Sequence, residues 1–204
     1  MMLAARTAAW SGKALPYYAE VEYLEGTGTQ FIDTPITFKV TDEVYFKGAL
    51  NELKFDKFVL AAEPWNDNNN RFSPLGFYDV LVCAFGSYPT PVTKFIPSIK
   101  DSEAHTITYK NKVFTMEDTD SICNGSAITF GGETGKIKFF YGYADPSKSR
   151  IYYYKQLRNG KLLCDFIPVL DRNMRPAMYD RVTDKLFYNK GTGEFVIGPV
   201  VKTT

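Results

Sequence analysis

Histidine is nearly absent from this 204-residue chain, His105 being the only one. No serine sits in a Gly-x-Ser-x-Gly elbow, so a Ser-His-Asp hydrolase has no support. The three cysteines, Cys83, Cys123 and Cys164, contain no Cys-x-x-Cys spacing, which argues against zinc. Odd in number and widely spaced, they read as free thiols packed as small hydrophobes, not as a secreted disulfide framework. No stretch approaches the roughly 18 apolar residues of a membrane span. Met1–Leu15 also lacks the apolar centre of a signal peptide, because Arg6 interrupts it. If Met1 is the natural start, the chain is made and first assembled in the cytoplasm. Charge of one sign is missing too: 24 Lys and Arg stand against 23 Asp and Glu, a net +1. No global field draws the protein to nucleic acid or anionic lipid, and neither is expected as a partner.

What the chain does have is aromatic surface. Sixteen Phe and fourteen Tyr within a 45% hydrophobic composition supply a core and suit strands. Glu20-Val21-Glu22-Tyr23-Leu24 alternates, and Gly26-Thr27-Gly28-Thr29 offers a turn before Gln30-Phe31-Ile32-Asp33. Val44, Phe46, Gly48 and Leu50 fall on one strand face, as do Ile137, Phe139, Tyr141 and Tyr143. Arg158-Asn159-Gly160-Lys161 predicts a hairpin, since Asn-Gly tolerates positive φ at both turn positions. Further hairpins are expected around Lys110-Asn111-Lys112 and Thr183-Asp184-Lys185. Without long helical periodicity, many short strands and regular turns predict an all-β fold, a two-sheet antiparallel β-sandwich over residues 20–204.

Residues 1–19 differ in character. The Ala-rich segment Met2–Trp10 has the length of two helical turns ended by Gly12, a helix too short to stand alone. It reads as an N-terminal docking arm whose assembly contacts would be Leu3, Trp10, Leu15, Tyr17 and Tyr18, made either on its own domain or on another subunit.

Three blocks carry a resemblance: Glu20–Thr34, Arg150–Lys155 with Asp165–Val169, and Met178–Gly193. In this order they resemble a family of concanavalin A-like, laminin-G-like jelly rolls found in gut bacteria and their phages. The likeness covers about residues 20–199. It implies a curved pair of antiparallel sheets with neighbouring first and last strands, in virion or surface-exposed proteins that often meet glycans. The expectation is a non-enzymatic phage virion structural protein, a capsid-decorating or tail-associated module assembled in the host cytoplasm. Its partners would be other virion proteins or further copies of itself, together with glycans. The alternative is a bacterial cell-surface or secreted carbohydrate-binding module; a glycoside hydrolase is a remote third.

The local motifs agree with binding over catalysis. Retaining glycosidases need two carboxyl groups about 5 Å apart, and the Glu-x-Asp-x-x-Glu pattern that supplies them on this fold is missing. Glu20 and Glu22 share one side of a strand but read as a solvated edge. His105 reads as a strand opener bonded to a nearby backbone group. Gly131-Gly132-Glu133-Thr134-Gly135-Lys136 is one residue short of a phosphate loop and lacks the following Ser or Thr, so it reads as a turn. No cofactor is expected; calcium stays open, with Asp67, Asp145 and Asp180 as loop candidates. In the segment Glu63–Phe72, Trp65, Asn66, Asp67, Asn68 and Arg71 combine an aromatic platform with amides and a cation, a composition suited to stacking and hydrogen-bonding a sugar. A structural loop would use the same residues. Tyr143 joins these ligand-binding candidates. Of Tyr152, Tyr153 and Tyr154, strict alternation sends Tyr153 to one face and the other two to the opposite face.

Overall fold

A computed structural model describes residues 14–62, 70–87, 93–124, 132–142 and 145–204, with the backbone alone described at 70, 71, 85–87 and 93. Among these residues there is no helix. The strands are β1 Tyr17–Val21, β2 Leu24–Thr27, β3 Ile32–Lys39, β4 Glu43–Leu50, β5 Lys57–Phe58, β6 Leu60–Ala62, β7 Asn70–Tyr78, β8 Val80–Ser87, β9 Thr93–Lys94 and β10 His105–Lys110. They continue as β11 Val113–Met116, β12 Ser121–Asn124, β13 Glu133–Phe139, β14 Lys148–Arg158, β15 Lys161–Asp171, β16 Pro176–Asp180, β17 Lys185–Tyr188, β18 Val196–Ile197 and β19 Val200–Thr203.

One large sheet runs β12-β11-β10-β4-β14-β15-β1-β19, with β16 and β17 branching from β15 and β2 and β18 from β14. Two smaller sheets, β3-β13-β6 and β5-β7-β8-β9, complete the fold, and every strand pair is antiparallel. The small sheets lie over the large one through rings. Phe38 on β3 meets Tyr109 on β10 edge-on with centroids 5.1 Å apart, and Phe139 on β13 meets Phe166 on β15 at 5.1 Å. Phe38 also stacks on Phe72 of β7 at 3.8 Å, tying the small sheets together. These rings are buried, and each stabilises the fold by about 1.5–3 kcal/mol through burial. The result is a β-sandwich core of alternating inward side chains.

The turn chemistry follows the sequence. Asn159 and Gly160 take φ of 52° and 72° between β14 and β15, and Asn111 and Lys112 take 52° and 64° between β10 and β11. Asp184, at φ 59°, joins β16 to β17. The first alternating segment is two strands, not one: the chain bends at Glu22-Tyr23, so β1 pairs with β15 while β2 pairs with β14. Gly198 fits against this bend, where a Cβ would lie 2.8 Å from the Tyr23 ring. Strands β18 and β19 follow the same bend on the outer edge, pairing with β2 and β1. First and last strands are therefore neighbours.

Nearby loops clasp the two ends further. Thr29 and Thr192 exchange hydrogen bonds, the Lys190 amide donates to the Phe31 carbonyl at 2.8 Å, and Gln30 Nε2 donates to the Glu194 carbonyl at 3.0 Å. Gly191 has no room for a side chain, since a Cβ would sit 1.9 Å from the Thr29 carbonyl oxygen.

A buried polar group links the layers at the other end. The Asp42 carboxylate, fully buried, accepts from Arg158 Nε at 2.8 Å and Nη2 at 2.9 Å, from Gln156 Nε2 at 2.6 Å, and from the Lys39 amide at 2.7 Å. Tyr154 donates to Gln156 Oε1 at 2.7 Å, and Arg158 reaches on to Glu133 of β13 at 2.9 Å.

The cysteines correct the reading of three free thiols. Cys83 on β8 and Cys123 on β12 form a disulfide across a sequence separation of 40. Spacing along the chain does not report that β9 brings these strands together. Cys164 alone is free and buried, and burial raises its thiol pKa, leaving it an inert core residue.

Candidate functional site

The outer face of the large sheet carries a groove of about 410 Å3 whose floor is made by a break in strand register. Strand β14 pairs with β4 as Ile151↔Gly48 and then Tyr153↔Lys47, so Tyr152 is the extra residue of a β-bulge. Because of that extra residue, Ile151 and Tyr154 both point into the core and are fully buried. Tyr152 and Tyr153 lie between them, half-buried, and both line the outer groove. Strict alternation, which pairs Tyr152 with Tyr154, is thus overturned at this point.

Charged side chains surround the two phenols. Lys47 Nζ lies 4.8 Å from the centre of the Tyr152 ring, and the Tyr23 ring is 5.2 Å away on another side. Asp165 faces Arg181 at 3.5 Å. Glu20 accepts from the Tyr17 hydroxyl at 2.8 Å and faces Lys202 at 3.7 Å. Glu22 completes the wall. Desolvation by burial raises the pKa of both Tyr152 and Tyr153, so they stay neutral hydroxyls able to donate and accept. Flat rings beside carboxylates and cations suit a ligand with both C–H faces and many hydroxyls.

The residues expected from sequence are distributed otherwise. Trp65, Asn66, Asp67, Asn68, Tyr143, Leu3 and Trp10 lie outside the described residues. Arg71 belongs to β7, where its backbone pairs with Gly86 of β8. Tyr17 is buried in cis, its ring 4.9 Å from that of Tyr179. Leu15 packs on the same cluster, and its carbonyl accepts from Arg172 at 2.9 Å and 3.2 Å. Both pack against strands of the same chain, and β1 begins at Tyr17. Tyr18 is 45% exposed.

His105 does open a strand, but its ring meets side chains instead of backbone. Nδ1 lies 2.6 Å from Asp118 and Nε2 2.8 Å from Asp101. The turn after β11 swings Asp118 back over the start of β10, where its other oxygen accepts from the Thr106 amide at 3.0 Å. Burial opposes the charge on Asp118, but the hydrogen bonds from His105 and Thr106 outweigh it and lower its pKa. Of the calcium candidates, Asp180 uses its oxygens on the Asp165 and Val182 amides and the Thr183 hydroxyl. Asp145 pairs with Lys57 at 2.6 Å. In the glycine segment the turn is at Gly132, with φ 148°, and Glu133 onward is strand.

The bulge, the Lys47 and Arg181 neighbours and the disulfide were not legible. The one signal for the groove was the run of three tyrosines, which cannot all be core. Comparison with family models, with curated proteins and with solved structures finds no match.

Proposed function

We propose that this chain is a non-enzymatic, lectin-like module of a phage virion that holds a saccharide in the Tyr152–Tyr153 groove. The observation that carries the binding part is the β-bulge, which turns two adjacent tyrosines outward beside Lys47, Glu22 and the Asp165–Arg181 pair. A hydroxyl-rich ring stacks on such phenols while its hydroxyls bridge carboxylate and cation. A binding role also fits Glu20, which is engaged by Tyr17 and Lys202 and so poorly placed for proton transfer. The virion assignment, and a concanavalin A-like jelly-roll topology, are supported by the resemblance of the blocks at residues 20–34, 150–155 with 165–169, and 178–193. Pairing of β1 with β19 is in keeping with that topology.

A second reading, a secreted or cell-surface carbohydrate-binding module, is favoured by the Cys83–Cys123 disulfide. Such bonds persist in oxidising surroundings, which an exported protein meets at once and a virion protein meets after release.

A glycan array decides the binding part. Wild type should give discrete signals that Tyr152→Ala with Tyr153→Ala removes, with Trp65→Ala as a separate arm for the loop expected from sequence. Signals lost only in Trp65→Ala would move the site to that loop; no signal for wild type would end the glycan reading. For the virion part, chains lacking residues 1–13 should fold but fail to join particles, and normal incorporation would defeat attachment through the arm.

A further inference from the structure

A second recess, of about 660 Å3, opens where β17 lies beside β3 on the edge of the β3-β13 pair. Four lysines line it: Lys136 and Lys138 from β13, Lys185 at the start of β17, and Lys190 from the clasp that joins the chain ends. Positions 136 and 138 are two apart on one strand and so share a face. Lys190 is fixed in place by its amide, bonded to Phe31. Lys138 is pre-oriented, its ammonium 4.7 Å from the centre of the Tyr141 ring and 3.7 Å from Asp33. Lys136, Lys185 and Lys190 are exposed and form no ion pair with another described residue. With Asp33 as the one lining carboxylate, the recess concentrates positive charge on a protein whose net charge is only +1.

We infer that this recess binds an acidic saccharide through its sulfate or carboxylate groups. Lysines gathered in a concave site attract anions more strongly than the same charges on a flat face. Its volume falls within the range of small-ligand sites, about 300–1,000 Å3. Phe187 and Pro35 provide an apolar wall for a sugar ring, and Asp33 an acceptor for its hydroxyls. A nucleic acid fits less well: the cations form one pocket with a carboxylate on its rim, not a stripe that follows a phosphate backbone. This inference uses different residues from the Tyr152–Tyr153 groove and does not depend on it.

Isothermal titration of the full chain tests it with three probes: a heparin-derived hexasaccharide, its desulfated and N-acetylated counterpart, and a short single-stranded DNA. The sulfated probe should bind more tightly than the desulfated one by about tenfold or more, with affinity falling as salt rises. The exposed-lysine variant Lys136→Ala, Lys185→Ala, Lys190→Ala should lose about tenfold or more in affinity while retaining its thermal unfolding temperature. A variant with the same charge loss elsewhere, Lys94→Ala, Lys100→Ala, Lys161→Ala, should stay within about twofold. Tyr152→Ala with Tyr153→Ala should bind the sulfated probe like wild type. The inference is overturned by no binding of the sulfated probe, by equal losses in both lysine variants, or by DNA binding as tightly as the sulfated probe.

Discussion

Replacing Asp42 with alanine should destabilise the domain by about 3–5 kcal/mol, the cost of breaking a buried ion pair by removing one partner. The magnitude follows from what the carboxylate holds. Its side chain is fully buried, whereas Arg158 is 23% exposed, so the main loss is the environment of the carboxylate and not a surface attraction. Without it the part-buried Lys39 amide loses its side-chain acceptor, which adds up to about 1–3 kcal/mol, the cost of a donor left unmet. Gln156 and Arg158 each keep the Thr37 carbonyl, and Arg158 keeps Glu133, which sets the upper limit. An exposed pair would be worth only about 0–1 kcal/mol. In a domain of this size the change corresponds to a fall of about 6–20 °C in Tm. Urea unfolding followed by circular dichroism, on Asp42→Ala, Arg158→Met and the double variant, separates the pair from its surroundings. The double variant should lose clearly less than the sum of the singles. A loss below about 1 kcal/mol for Asp42→Ala, or strict additivity, would show that the network does not bind the layers together.

Two further outcomes concern covalent and proton chemistry. Reducing the Cys83–Cys123 bond, or replacing both cysteines with serine, should lower unfolding free energy by roughly 4 kcal/mol, from the entropy of a loop about 40 residues long; identical urea midpoints with and without reductant would contradict the bond. For pH, Asp171 is buried, yet hydrogen bonds from the Arg175 amide and guanidinium, the Asn173 amide and Tyr188 lower its pKa, and Asp118 is lowered as well. A lowered folded-state pKa gives stability that is present above the unfolded value, about 3.9, and lost as pH falls through the folded value. Tm should therefore hold at neutral pH and drop below about pH 4, with a shallower drop in Asp171→Asn; an equally steep drop in that variant would assign the acid sensitivity elsewhere.

The fold class could be read because its signals are local. Asn159-Gly160 and Asp184 set their turns through their own backbone preferences, whatever surrounds them. The departures all depend on distant chain. Tyr152 is extruded because β14 must match β4, whose pattern lies a hundred residues earlier. Phe140, at φ 59°, breaks the alternation expected from Ile137 to Tyr143, and its ring packs on Phe195, with centroids 4.6 Å apart. The partners of His105 and Cys83 are likewise supplied by turns and strands that spacing does not bring together. The groove was legible only as an excess of tyrosine, since Lys47, Asp165 and Arg181 come from three separate segments.

The clasp between the chain ends sets an order of events during synthesis. Strand β1 is partnered by β15 and β19, and Val21 meets Val200 across about 180 residues of sequence. Contacts of that separation are the slowest to close, and the last of them cannot form until β19 has been synthesised and has left the ribosome. Until then Tyr17–Val21 presents an unpaired edge of the kind that recruits other chains. The nascent protein is therefore most vulnerable to aggregation in the interval between the emergence of its first strand and the arrival of its last.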